Sequence, residues 1–474
     1  MTSTAETPVP RSHAEAAGPR LRRDSLSFLE TIGQSVANVA PTLTPTLNIV
    51  IVAGLAGIGS WLAYLVAGIG MLFVAGNIGA LARRHPLAGS YFVYIGRTLG
   101  PAAGMIAGWS MVGAYVVTAV ATVFGGQIFL ADLLRVIAGG KVVVPGPVFD
   151  LAFIGGVFIL AYRDIRISSR VGLALEFLSL GIIVAITATV FAQHGGFVDR
   201  AQLAAPATRI GGVMAALAFA VFSFVGFESA ATLARESRQP TRAIPRAVTL
   251  SAGLAGLFFV VIAYAMVVVV GDDAAILAKS ASPFTEIAAR AHLAWAAGIV
   301  YFAATISVFA CCLASINAGS RLIFSMGRYE FLPRRMGSVH ARHQTPNVAI
   351  AAGAAFTLVA CLLLGRLDPV DAFGYTGTFA TFGFLVIYLL ISVAAPLDLY
   401  RAGEARPRHL VVGAVGAVLM AFVIFGSLYP VPDYPYDLLP YLFALYLVLG
   451  AFLYGVVAAR APHARAGLAQ DLEL

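Results

Sequence analysis

Apolar residues run along this chain in long stretches parted by short polar ones, with neither strand alternation nor the one-sided stripe of a surface helix. Stretches of this length suit helices that cross a bilayer, which takes about 20 apolar residues. The pattern predicts about twelve spans, at 30–54, 60–82, 90–134, 144–162, 170–192, 210–234, 245–270, 293–328, 347–365, 371–395, 409–428 and 437–459. The third is too long for one crossing. It is expected to enter through an interfacial turn at Ser90–Leu99 and to resume after Gly100-Pro101. Residues 1–27 are polar, carry Pro8, Pro10 and Pro19, and lack the apolar core of a signal peptide. They are expected to form a disordered cytoplasmic tail, and residues 461–474 another. Between them the sequence predicts a core of ten helices over 28–400 and two further helices over 401–460.

Composition agrees with this all-α membrane class. The chain is 59% hydrophobic and 11% charged, with mean hydropathy +0.87, whereas a soluble domain has about 25% charged residues. Charge sets the expected orientation. Of 31 Lys and Arg, 24 fall in the tails and in the loops on the side of the amino terminus, and 7 on the other. Cytoplasmic loops collect positive charge, so both termini are expected inside a cell membrane. The net charge of +8 follows from this asymmetry. It suits anionic membrane lipids and gives no soluble basic face for nucleic acid. Cys311, Cys312 and Cys361 lie in apolar spans and read as small buried residues, and no metal site or cofactor is expected.

Two spans are poorly suited to continuous helix. Span 1 contains Pro41 and Pro45, each of which removes a backbone donor and clashes with the preceding turn. Thr42, Thr44 and Thr46 can rebond the freed carbonyls. Span 6 contains Ser223-Phe224-Val225-Gly226-Phe227-Glu228, with a helix-weakening glycine and a carboxylate at membrane depth. Five spans separate the two breaks, so a repeat of five helices would place its second copy upside down, leaving spans 11 and 12 outside. Freed N–H groups at one half-helix end suit a carboxylate, and freed C=O groups at another suit an ammonium or a small cation. Together they suit a zwitterion.

Other polar residues fit more than one reading. Glu176 in span 5 suits a proton carrier or gate, or equally a carboxylate reaching a loop arginine. Gln34, Asn38 and Asn317 suit substrate binding or interhelical hydrogen bonds. Asp132 and Asp150, near outer span ends, are expected to be solvated. No Gly-x-x-x-x-Gly-Lys-Ser/Thr motif is present, which argues against ATP-driven transport within the chain.

Three stretches carry a resemblance. Phe222-Ser223-Phe224-Val225-Gly226-Phe227-Glu228-Ser229, followed by Pro240-Thr241-Arg242-Ala243-Ile244-Pro245-Arg246-Ala247, resembles the signature of the amino acid–polyamine–organocation (APC) superfamily of permeases. Ala88-Gly89-Ser90-Tyr91-Phe92-Val93-Tyr94 with Leu99-Gly100-Pro101 is similar to that family's entry to helix 3, and Ala318-Gly319-Ser320-Arg321 through Arg328-Tyr329-Glu330-Phe331-Leu332-Pro333 to its end of helix 8. The resemblance covers roughly 28–400. It implies a LeuT-type fold, alternating access, and an amino acid or amine substrate; proton (H+) symport, sodium (Na+) symport and exchange all stay open as the drive. It also implies that Val39, Ala40, Pro41, Thr42 and Leu43 hold a substrate carboxylate. Phe222, Ser223 and Val225 would offer carbonyls to the amine, with Phe222 as an aromatic wall. Met111, Ala114, Tyr115 and Ser315 would face the site, and Glu228 would belong to a gate. The chain departs from the family at Pro41-Thr42-Leu43, where a Gly-x-Gly break is usual, and at Ser179, where some proton-coupled members carry a lysine.

Overall fold

The computed structural model describes residues 21–22, 24–85, 90–193, 198–204, 210–279, 283–290, 292–429 and 431–460. The expected tails, apart from 21–22 and 24–27, lie outside the described residues, as do Ala88 and Gly89 of the second motif. Helices account for nearly all of the rest: α1 (Phe28–Val39), α2 (Ile49–Ala56), α3 (Ser60–Arg84), α4 (Ser90–Leu99), α5 (Pro101–Ala138), α6 (Gly146–Arg163), α7 (Ile165–Gln193), α8 (Ile210–Phe222), α9 (Pro240–Val269), α10 (Ala297–Arg328), α11 (Asn347–Leu364), α12 (Pro369–Arg401), α13 (Pro407–Gly426) and α14 (Leu439–Arg460). Among the described residues no strand forms, only an isolated bridge between Leu26 and Ser237.

Ten helical stretches among the described residues are long and apolar enough to cross a membrane. The first, Phe28–Arg84, is 57 residues long and holds two passes. The chain reverses between them at Gly57, whose φ of 59° is left-handed. The sixth expected span is the shorter apolar helix α8 with an irregular continuation through Ser237. The chain is a multi-pass, all-α membrane protein. The long third span divides as its sequence predicts: α4 ends at Leu99, Gly100 turns with φ 99°, and α5 starts at Pro101. Helices α5 and α10 are the most enclosed, α13 and α14 the least.

The amino-terminal approach to α1 is built into the bundle. Ser27 caps α1 by accepting the Glu30 N–H, while Glu30 accepts the Ser27 N–H at 2.8 Å. Ser25 and Leu26 both donate N–H groups to the Glu236 carbonyl at 2.8 Å, and Arg238 donates back to Leu26 at 2.9 Å. Arg22 reaches Asp164 at 2.6 Å. So the last residues assigned from sequence to a disordered tail are held by backbone pairing and charge. Two acidic residues differ from expectation as well. Asp150 is buried and accepts from Gln127 at 2.6 Å, and Asp132 is buried beside Arg135 at 2.6 Å. Each has a donor close enough to replace water.

Candidate functional site

The two broken spans meet at their breaks. Helix α1 ends where Ala40 turns left-handed, at φ 48°, and Pro41 cannot continue it. The chain resumes through a widened turn at Thr44–Asn48 and enters α2. Pro45 leaves the ladder one donor short. The Thr46 hydroxyl reaches back to the carbonyls of Thr42 at 3.0 Å and Leu43 at 2.7 Å. Helix α8 ends at Phe222, and Ser223–Glu228 form successive turns around Gly226, whose φ is 100°. A Cβ at Gly226 would lie 2.7 Å from the carbonyl carbon and oxygen of Asn38. Only glycine lets the second break rest on the first.

Both breaks leave backbone groups without partners. In the Ser223–Glu228 turns, amides bond the carbonyls of Val221, Phe222, Phe224 and Gly226, but among the described residues none bonds those of Ser223 or Val225. Across the junction, among the described residues, the Thr42 N–H makes no backbone bond. Among the described residues the Thr42 hydroxyl and the Asn38 side-chain nitrogen are buried without partners. Unpaired donors thus sit on one break and unpaired acceptors on the other, in a setting where orphan polar groups are costly.

Around this junction the side chains are tied down. Ser315 on α10 donates to Asn38 Oδ1 at 2.6 Å. Gln34 donates to the Ala314 carbonyl at 2.7 Å, and Ser35 accepts from the Ala230 N–H at 2.9 Å. Gln34, Asn38 and Asn317, which donates to Ser168 at 3.0 Å, all make interhelical bonds. Ser223 is gripped by Asn48 at 3.2 Å and Tyr64 at 3.1 Å. The Phe222 ring packs on Gly377 of α12, and Ala114 of α5 packs on Gly383. Ala40, Leu43, Met111 and Val225 are buried.

Glu228 is fully buried, and both oxygens of its carboxylate are hydrogen-bonded. Tyr115 donates to Oε1 at 2.7 Å and Tyr388 to Oε2 at 2.7 Å. The Gly226 N–H adds 3.1 Å to Oε2, and Tyr91 donates to the Glu228 carbonyl at 2.7 Å. Tyr115, expected to face a substrate, is thus turned to the acid. Tyr388 and Tyr91 were not singled out from sequence; the available signal was the need of a buried carboxylate for donors. Glu176 is also fully buried. It accepts from Ser307 at 2.8 Å and Ser179 at 3.2 Å; no arginine reaches it among the described residues. A groove of about 870 Å³ between α1, α7 and α9 runs past Glu176 to Val39 and Pro41.

Beneath the junction, at the Arg-rich end of the bundle, Arg321 of α10 makes a two-pronged ion pair with Glu236, at 2.6 and 2.7 Å. Both side chains are almost fully buried, at 2% and 1% exposure, so the pair leaves no aqueous gap there. Arg170 reaches Glu30 at 2.6 Å, and Arg166 donates to the Ser25 carbonyl at 2.9 Å.

The family model described as amino acid permease matches residues 31–431, which takes in both breaks and the segment between. An uncharacterized transporter of Mycobacterium tuberculosis is 30% identical over 78% of this chain and 79% of its own length. The branched-chain amino acid permease BcaP of Bacillus subtilis is 28% identical over 72% and 73%. The low-affinity putrescine importer PlaP of Escherichia coli is 26% identical over 71% and 74%.

Proposed function

We propose that this chain, which belongs to the amino acid permease family, moves amino acids across the cell membrane as a secondary transporter, binding them where the two broken spans touch. The observation that carries this reading is the pairing of unsatisfied groups across the junction. The Thr42 N–H and hydroxyl and the Asn38 side-chain amide suit a carboxylate; the Ser223 and Val225 carbonyls suit an ammonium. Val39, Ala40, Pro41 and Leu43 shape the first break. Phe222, Met111, Ala114 and Ser315 wall the space, with Phe222 offering an aromatic face, while the Tyr115 hydroxyl is given to Glu228. Glu228 and Glu176 serve as gate or proton-coupling groups. Neither is neutralised by a base among the described residues, and Glu228 ties α5, α12 and the second break through Tyr115, Tyr388 and Gly226. Both termini lie in the cytoplasm, so the Glu236–Arg321 pair closes the inner side and must part for inward release.

A second reading, an amine as substrate, draws support from the putrescine importer's similarity over most of both chains. Proteoliposomes holding the full chain separate the two. A panel of labelled amino acids and putrescine, with imposed proton and sodium gradients, is expected to give saturable uptake of an amino acid that a proton gradient accelerates. Uptake of putrescine alone would select the second reading, and movement of neither class would overturn both.

A further inference from the structure

The end of α3, the end of α12 and the start of α13 enclose a cleft of about 1030 Å³ at the Arg-rich end of the bundle. Its polar lining is Arg83, Arg84, Glu404, Arg406, Arg408 and His409. The one carboxylate among them is taken, since Glu404 sits 2.9 Å from Arg84. Arg84 is itself shared with Asp398 at 2.6 Å. Arg83, Arg406 and Arg408 have no carboxylate partner among the described residues.

His409 reveals how short of acceptors the cleft is. The Arg406 backbone N–H points at its Nδ1 at 3.2 Å, and the Arg408 Nε–H at its Nε2 at 3.3 Å. A neutral imidazole offers one acceptor nitrogen and a protonated one offers none. One of these two contacts therefore sets a donor against a donor. Helix α13 starts at Pro407 in the same place, and its dipole adds to the positive field. Excess donors, unneutralised guanidinium groups and a concave wall call for an anion with several oxygens, which guanidinium forks bind well.

We infer that this cleft binds a phosphate-bearing anion. The cleft lies where three spans, α3, α12 and α13, end or begin. The anion is supplied either by an anionic phospholipid or by soluble phosphate, and the recognising chemistry is the same. It is independent of the substrate site proposed above.

The test is native mass spectrometry of the full chain in neutral detergent. Three probes are titrated separately: phosphatidylglycerol, phosphatidylcholine and inorganic phosphate. Phosphatidylglycerol binding above the level of phosphatidylcholine supports the inference with a lipid source; saturable inorganic phosphate binding alone supports it with a soluble source. In either arm the double variant Arg406→Gln/Arg408→Gln is expected to weaken binding roughly fivefold per arginine removed. Both side chains are exposed, so the variant is expected to melt as wild type does. Arg335→Gln, an exposed arginine elsewhere on this end, is expected to bind as wild type. The inference is overturned if neither anion binds, if the two lipids bind equally and inorganic phosphate does not bind, if the double variant binds unchanged, or if Arg335→Gln loses as much.

Discussion

Gly226 and Asn38 meet where both of their spans are broken, and a Cβ on Gly226 would lie 2.7 Å from the Asn38 carbonyl oxygen. The rest of the candidate site depends on this contact, because it brings the unpaired donors of one break against the unpaired acceptors of the other. Gly226→Ala is expected to push the breaks apart. Strain at φ 100° alone costs of order 1–3 kcal/mol for a residue with a side chain, and the backbone clash adds to it. A lowered melting temperature and loss of uptake are expected together. Wild-type uptake by this variant would show that the breaks need not touch.

The carboxylate of Glu228 is held by two tyrosines from different helices. Tyr388→Phe removes one donor and is expected to destabilise the protein by about 1–3 kcal/mol. Tyr115→Phe is expected to do likewise. The double variant is expected to differ from the sum, because both hydroxyls serve one carboxylate. Thermal melts of the four proteins measure this coupling, and strict additivity would mean that the two bonds act independently.

Glu228→Gln keeps the size of the side chain but presents an NH₂ group to one tyrosine hydroxyl. It is expected to express, to transport more slowly, and to lose the pH dependence of wild-type uptake. Glu176→Gln is expected to abolish acceleration by a proton gradient while exchange of labelled for unlabelled substrate continues. Gradient-driven uptake at wild-type rates in both variants would move coupling to other residues.

The buried Glu236–Arg321 pair joins α10 to the tail of the second break and, through Ser25 and Leu26, to the approach of α1. Arg321→Met strands a buried carboxylate and is expected to cost about 3–5 kcal/mol. Arg321→Met/Glu236→Met is expected to recover much of that stability. Hydrogen exchange at residues 24–27 is expected to rise in the single variant, which tests whether the pair holds this segment. Unchanged exchange there would confine its role to α10.

Much of the fold was legible because bilayer thickness imposes one length on every span, and because proline and glycine interrupt a helix visibly. Pro41 and Pro45 marked one break and Gly226 with Glu228 the other. The bonding of the Thr46 hydroxyl to backbone carbonyls of its own turn could also be read, since a hydroxyl in an apolar span has little else to bond. What lay hidden depends on the register between helices. Tyr388 is 160 residues from Glu228, and a tyrosine in an apolar span gives no sign of which neighbour it faces. For the same reason the pairing of Glu236 with Arg321 was not legible, and Asp150 read as solvated. The docking of residues 24–27 escaped because backbone pairing needs no distinctive side chains.

Substrate binding at the junction is tested most directly by Thr42→Val, a near-isosteric change at a hydroxyl with no partner among the described residues. The measurement is equilibrium binding of the transported amino acid to the purified full chain, alongside its melting temperature. Thr357→Val is the control, since Thr357 is also buried but donates to Gly353 at 2.9 Å. The expected result is that Thr42→Val binds about tenfold or more weakly, the worth of a hydrogen bond to a charged group, without melting lower. Thr357→Val is expected to bind as wild type. Wild-type affinity in Thr42→Val would contradict the placement of the substrate between the two breaks.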